Sequence, residues 1–110
     1  MSSLDIKEDR SQRIAILHLT GRLDTVTSAD FQKKITELMD GGENQIILNC
    51  VELNYVSSAG LRIFLMAQKR VKAKGGGLRL VGVSSFVKEV FDISGFSTLF
   101  SFYPTLDEAT

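Results

Sequence analysis

The sequence contains few of the residues from which catalytic and metal sites are usually built. Its 110 residues include one cysteine, one histidine and no tryptophan. A single cysteine cannot form an internal disulfide, and a zinc site needs several histidine, cysteine or carboxylate ligands close together. His18 and Cys50 each lie inside an apolar run, which predicts structural roles for both. The sequence therefore gives no support to a metal centre, a catalytic triad or a bound cofactor.

An excess of charge of one sign is also missing, because 13 lysines and arginines balance 13 aspartates and glutamates. A chain with no net charge lacks the long-range field that draws proteins to nucleic acid or to anionic membranes. The apolar runs fall well short of the roughly 20 residues that span a bilayer, and the N-terminus MSSLDIKEDR has no signal-peptide core. We therefore expect a cytoplasmic protein with no nucleic acid partner and no membrane span.

The apolar residues make up 44% of the sequence, which is enough for one core, and we expect a single domain over residues 1–110. Alternating residues predict a first, antiparallel strand, which a polar turn at Glu8–Gln12 joins to an interior strand. Two further apolar runs predict strands, and a last one predicts a short edge strand or a turn. In chain order these segments are 3–8, Arg13–Thr20, Gln45–Val51, Leu78–Val83 and Leu99–Tyr103.

Apolar residues at helical spacing predict three helices, Thr27–Met39, Ser58–Lys74 and Ser85–Ser94. Thr27 is the expected N-cap of the first helix, and glycines follow all three. The alternation of strands and helices predicts an α/β fold, with a mixed, mostly parallel sheet of four to five strands and three to four helices. The inward residues expected for the third helix are Phe86, Val90 and Ile93.

Two features near the end of the second helix have structural explanations. Lys69, Arg70, Lys72 and Lys74 are expected to complement the negative end of the helix rather than to form a binding patch. The run Gly75–Gly77 follows a helix and precedes a strand, whereas a phosphate-binding loop follows a strand and opens a helix. These glycines are therefore interpreted as a helix end and a connector.

The stretch Val51–Arg62 (VELNYVSSAGLR) is more informative, because a strand gives way there to a helix through two adjacent serines. One serine is explained as an N-cap that satisfies free N–H groups at the helix start. A serine at a helix N-terminus is also well placed to carry phosphate, since the N–H groups and the helix dipole stabilise an anion. From the residues alone, Ser57 and Ser58 remain open to both interpretations.

Three segments of the sequence resemble, in order and spacing, the signature segments of the STAS family. They are GRLD (Gly21–Asp24), LNYVSSAGLR (Leu53–Arg62) and KEVFDISGF (Lys88–Phe96), and the resemblance covers nearly the whole chain. The chain is most similar to the single-domain bacterial anti-sigma-factor antagonists of that family. The resemblance implies the STAS fold for residues 1–110.

In that family the serine two residues before a Gly-Leu pair is phosphorylated, and Ser58 occupies that position here. Asp24 matches an acidic residue implicated beside the phosphorylation site. The family commonly has aspartate immediately before the phosphoserine, whereas this chain has Ser57. Ser57 removes a carboxylate that would repel phosphate, and it adds an alternative phosphoacceptor. The resemblance therefore implies phosphorylation at Ser58, with Ser57 as the alternative.

The family's mechanism, partner switching, implies a non-enzymatic function. The unmodified domain would bind an anti-sigma factor that is a GHKL-type serine kinase, so that a sigma factor is released. Phosphorylation of Ser58 by the kinase would abolish binding, and a PP2C-type phosphatase would reverse it. ATP would belong to the kinase, so this chain would need no cofactor.

The resemblance also implies a partner-binding face where the loop after Leu23, the start of the second helix and the Ser94–Phe96 loop meet. Val26 and Leu61 are candidate apolar contacts, with core packing at least an equal alternative for Leu61. The residues expected at this face are Asp24, Val26, Ser57, Ser58, Gly60, Leu61 and Arg62.

Two other functions remain open. The domain could be a STAS interaction module of another system, such as a transport or lipid-trafficking complex or a different signalling output, because one fold serves many functions. A small enzyme or nucleotide-binding protein is the alternative from another class, although no phosphate loop or triad supports it.

Overall fold

The structure is a computed structural model that describes residues 3–110 as five strands, four α-helices and a short 3-10 turn. The predicted α/β class is confirmed. In chain order the elements are β1 (Leu4–Ser11), β2 (Ile14–Leu23), α1 (Ser28–Asp40), β3 (Gln45–Val56), α2 (Ser58–Ala73), β4 (Gly77–Val81), α3 (Ser85–Ile93), the 3-10 turn (Ser97–Leu99), β5 (Ser101–Tyr103) and α4 (Leu106–Ala109).

The five strands form one sheet in which spatial order follows chain order, from β1 at one edge to β5 at the other. β1 pairs antiparallel with β2, and every other pair of neighbours is parallel. The sheet is therefore mixed and mostly parallel, as predicted. Because α1, α2 and α3 each follow one of the parallel strands, all three helices begin at the same edge of the sheet. This edge brings the loops of the candidate site together.

Hydrophobic residues are buried on both faces of the sheet, in clusters of unequal size. The larger cluster joins the central strands to α1, α2 and α3, and the smaller one packs under α4. The ring of Phe64 in α2 lies between Phe31 of α1 and Phe91 of α3, with centroids 5.4 Å from each. Ile16, Ile47, Val81 and Ala109 form the buried part of the smaller cluster.

The predicted inward face of α3 is wrong. Phe86 and Ile93 are 58% and 79% exposed, whereas Val87 and Phe91 are buried. Val90, which was also expected inward, is partly buried and packs against the core. The helix contains two overlapping apolar stripes, and the edge-on packing of Phe91 against neighbouring phenylalanines selects one of them.

Several predicted boundaries also need correction. β1 continues to Ser11, and the chain turns at Gln12, whose φ of 56° lies in the left-handed region. β3 continues five residues beyond its predicted end to Val56, and its pairing with β2 shifts register on the way. β4 ends at Val81 rather than Val83. A short helix, α4, occupies the C-terminal segment, where the sequence pattern predicted no element.

Candidate docking and phosphorylation site

Ser57 is the N-cap of α2. Its hydroxyl oxygen accepts a hydrogen bond from the Gly60 N–H at 3.2 Å, which confirms the capping interpretation for this serine. Its own N–H donates to the carbonyl of Leu23 at 2.8 Å. The start of α2 is therefore tied to the end of β2, where the Asp24 loop begins.

Ser58 is the first residue of α2, and its side chain is exposed. No side chain or carbonyl among residues 3–110 forms a hydrogen bond with its hydroxyl. The two adjacent serines thus differ, because the Ser57 hydroxyl is engaged in the cap whereas the Ser58 hydroxyl is exposed and has no hydrogen-bond partner among residues 3–110.

A surface hollow of about 360 Å³ lies beside Ser58. Arg62 is exposed, one helical turn from Ser58, and forms no ion pair within the described part of the chain. The loop after α3 supplies the opposite wall, so Ser94 and Phe96 lie next to the start of α2, as the resemblance implied. The lining residues are Ser58, Leu61, Arg62, Leu65, Ser94 and Phe96.

The loop after β2 is held by the carboxylate of Asp24. One carboxylate oxygen accepts hydrogen bonds from the N–H groups of Val26 at 3.0 Å and Thr27 at 2.9 Å. Thr27 is the N-cap residue of α1, as predicted, but its side chain does not cap the helix, because its hydroxyl donates to the carbonyl of Arg22 at 2.8 Å. Asp24 therefore shapes this loop, and Val26 stands at its tip with 77% of its surface exposed.

Two of the expected contact residues have packing roles. A methyl group at Gly60 would approach the side chain of Leu23 to 2.7 Å, so only glycine fits where α2 meets the end of β2. Leu61 is 4% exposed and lies in the core, which is the alternative that the sequence left open for it. Leu65, one turn further along α2, is only partly buried and lines the hollow. The apolar spacing in α2 does not show which residues lie at the centre of the buried face and which, like Leu65, lie at its edge.

His18 and Cys50 lie away from this site. The Nδ1 atom of His18 is 2.9 Å from the side-chain nitrogen of Asn49, a hydrogen-bond contact between neighbouring strands. Cys50 is buried, and burial raises the pKa of its thiol to about 12. Both residues have the structural surroundings that the sequence predicted.

The fold and the site define a small α/β domain with an exposed serine at a helix start, and comparison with known proteins identifies its family. The profile of the STAS domain matches residues 5–109, and the chain belongs to this family. None of the helices described for residues 3–110 is long and apolar enough to cross a membrane.

The chain is similar to several anti-sigma factor antagonists. It is 33% identical over 92 residues to BtrV of Bordetella bronchiseptica, which is assigned as one, covering 84% of this chain and 79% of that protein. It is 25% identical over 97 residues to the anti-sigma-B factor antagonist of Staphylococcus aureus, covering 88% and 90%.

Among solved structures, the anti-sigma factor antagonist SpoIIAA in its unphosphorylated form matches with a TM-score of 0.82 at 25% identity, covering 96% of this chain and 92% of that one. The phosphorylated form of the Bacillus protein matches with a TM-score of 0.76 at 24% identity, covering 96% of both.

Proposed function

We propose that this chain is an anti-sigma factor antagonist controlled by phosphorylation of Ser58. The unmodified chain binds an anti-sigma factor that is also a GHKL-type serine kinase, and a sigma factor is released. The kinase transfers a phosphate from ATP to Ser58, and the modified chain dissociates. A PP2C-type phosphatase removes the phosphate and restores binding.

The observation that carries this proposal is the setting of Ser58. Its hydroxyl is exposed, lacks a partner among the described residues, and opens onto the hollow shared with Arg62 and Phe96. A phosphate there brings a charge of about −1.5 to −2 into a surface whose other groups, apart from Arg62, are small or apolar. A docking penalty of about 3 kcal/mol would weaken binding more than a hundredfold.

Phosphate at this position need not disturb the fold. The first turn of α2 has N–H groups without partners inside the helix and the positive end of the helix dipole. Arg62 is four residues on, the spacing at which a cation and an anion meet on a helix. The solved SpoIIAA structures, one unphosphorylated and one phosphorylated, are consistent with a fold that persists in both states.

Ser57 is the less suitable phosphoacceptor. Its hydroxyl oxygen already accepts the Gly60 N–H, and its side chain is only partly exposed. Phosphorylation of Ser57 would break or rearrange its cap hydrogen bond, and the loss of that bond would cost about 1 kcal/mol of stability. This difference supports Ser58 as the modified residue.

We also propose that residues 1–110 act as one binding domain in the cytoplasm, without catalysis of their own. The packing of α1, α2 and α3 on one cluster of buried residues supports a single domain. The inert settings of His18 and Cys50 support a binding role, because neither has the surroundings of an activated base or nucleophile.

The direct test is release of a sigma factor. The purified chain is added to each anti-sigma factor of the same genome, preloaded with its fluorescently labelled sigma factor, and anisotropy reports release. The unmodified chain should free the sigma factor from one of them, whereas the chain phosphorylated at Ser58 should not. Release by neither form, together with stable co-purification with a transport or lipid-trafficking complex, would contradict the proposal.

A further inference from the structure

All the charged residues of α2 are basic. The helix contains Arg62, Lys69, Arg70 and Lys72 and no aspartate or glutamate, in a chain of zero net charge. Arg70 forms an ion pair with Asp40 of α1. Lys69 and Lys72 have no ion-pair partner anywhere in residues 3–110. The helix dipole explains why the last turn of α2 is basic. It does not explain why Lys69 and Lys72 line an apolar groove.

An apolar groove of about 480 Å³ lies along this side of α2. Leu99, in the 3-10 turn before β5, forms one wall and is 51% exposed. We call this the α2 groove, and its lining residues are Leu65, Gln68, Lys69, Lys72, Ala73 and Leu99. It combines an apolar floor with two cationic side chains.

The α2 groove is already formed in the unbound chain, because Gln68 fixes its far wall. Gln68 is 7% exposed, and its amide nitrogen donates to the carbonyl of Leu99. Its amide oxygen accepts the N–H of Leu78 in β4 at 3.1 Å. Both ends of this side chain are engaged, so the 3-10 turn is held against α2 and little ordering is needed on binding.

The α2 groove is continuous with the hollow beside Ser58, since Leu65 lines both. The distance along the helix from Ser58 to Lys72 is about 21 Å at 1.5 Å per residue. A partner that docks at Ser58 can therefore extend along α2 into the groove with one segment of its chain.

We propose that the α2 groove binds an acidic segment of the anti-sigma factor. Apolar side chains of that segment would pack against Leu65 and Leu99, and its carboxylates would lie beside Lys69 and Lys72. Charge complementarity selects an acidic partner, and the apolar floor selects one that also carries hydrophobic residues. This inference rests on the proposed function, and it adds a second contact region that phosphate on Ser58 does not reach.

The test reverses the two lysines and uses a control of equal net charge. The variant Lys69→Glu/Lys72→Glu is compared with Lys7→Glu/Lys33→Glu, whose lysines are exposed on β1 and α1 and also lack ion pairs within the described chain. Binding is measured to the anti-sigma factor found in the sigma-release experiment, at low and at physiological ionic strength. Circular dichroism and thermal melting check that both variants are folded.

The groove variant should bind at least about tenfold more weakly at low ionic strength, and its affinity should depend less on salt than that of the unaltered chain. The control should stay within about twofold. The proposal would be overturned if both variants were weakened equally or if the groove variant bound the anti-sigma factor as well as the unaltered chain does. It would also be overturned if the groove variant lost only binding to RNA or to phosphatidylserine vesicles. If the unaltered chain binds no anti-sigma factor, the proposed function fails first, and that outcome is distinct from these.

Discussion

The helices α2 and α3 begin in the same way, and yet only one of these starts is proposed as a switch. Each has two serines, of which the first is the N-cap. Ser57 accepts the Gly60 N–H at 3.2 Å, and Ser84 accepts the Val87 N–H at 3.1 Å. The second serine of each pair, Ser58 or Ser85, is exposed. Cap geometry alone therefore does not define a phosphorylation site.

The surroundings of the two starts differ in charge and in packing. Four residues after Ser58 stands Arg62, whereas four residues after Ser85 stands Glu89. A phosphate on Ser58 would lie one turn from a cation, and a phosphate on Ser85 would lie one turn from a carboxylate. Ser58 also opens onto the hollow formed with the loop after α3. Neighbouring elements, rather than the helix start itself, therefore give Ser58 its proposed role.

The largest effect is expected from placing a charge at the two exposed serines. Ser58→Asp should weaken docking to the anti-sigma factor more than about a hundredfold, because it puts a carboxylate into the docking surface. Ser85→Asp should change it less than about twofold, since Ser85 is eight residues from the end of α3 that borders the hollow, about 12 Å along the helix. Isothermal titration calorimetry measures both. Similar losses for the two variants would remove the distinction between the helix starts.

The second-largest effect is expected at the third residue of α2, where packing is tighter than at the same position of α3. Gly60→Ala should lower the free energy of unfolding by about 1–3 kcal/mol, because its methyl group would meet Leu23 at 2.7 Å. The same position of α3 holds a buried valine, Val87, without a clash. Urea denaturation measures the change, with Ala59→Gly as the neighbouring control. A Gly60→Ala protein as stable as the unaltered chain would show that Leu23 moves aside without cost.

The two caps should prove equivalent. Ser57→Ala and Ser84→Ala should each lower the free energy of unfolding by about 1 kcal/mol, because each leaves one N–H without its acceptor. Ser57→Asp should retain the stability, since aspartate is also a good cap. Thermal melting compares the three variants. A stable Ser57→Ala protein would mean that this serine is not needed as a cap, and it would strengthen Ser57 as a phosphoacceptor.

The smallest effect concerns the residue four positions after each exposed serine. Arg62→Gln should weaken docking of the unmodified chain about threefold and leave stability unchanged, because Arg62 has no ion pair to lose within residues 3–110. Glu89→Gln should have no effect on docking. Surface plasmon resonance at low ionic strength resolves such a difference, and a larger effect at Glu89 would contradict the assignment of the docking face.

Much of the fold could be predicted because its signals are local. The order of strands and helices follows from apolar runs, helical spacing and glycines, and the pair Ser57–Ser58 marks a helix start. The buried face of α3 could not be predicted in this way. Its apolar residues fit two stripes one position apart, and the contact of Phe91 with Phe64, 27 residues earlier, decides between them.

The candidate site could also be predicted only in part. The family resemblance indicates Ser58 and its neighbours, but the α2 groove depends on the bond between Gln68 and Leu99, 31 residues apart. Thr27 was correctly placed as the N-cap residue of α1, but a threonine there usually caps through its hydroxyl, and this one does not. Here Asp24 accepts the N–H groups of that loop, which leaves the Thr27 hydroxyl to bond with β2.

Mapping the phosphate on the chain tests the role of Ser58. The unaltered chain and its Ser57→Ala, Ser58→Ala and Ser85→Ala variants are incubated with the anti-sigma kinase and ATP, and tandem mass spectrometry locates the modification. We expect one phosphate on Ser58, lost only in Ser58→Ala, and a phosphorylated chain that no longer binds the kinase. Phosphate on Ser57 or Ser85, or undiminished binding after phosphorylation of Ser58, would contradict it.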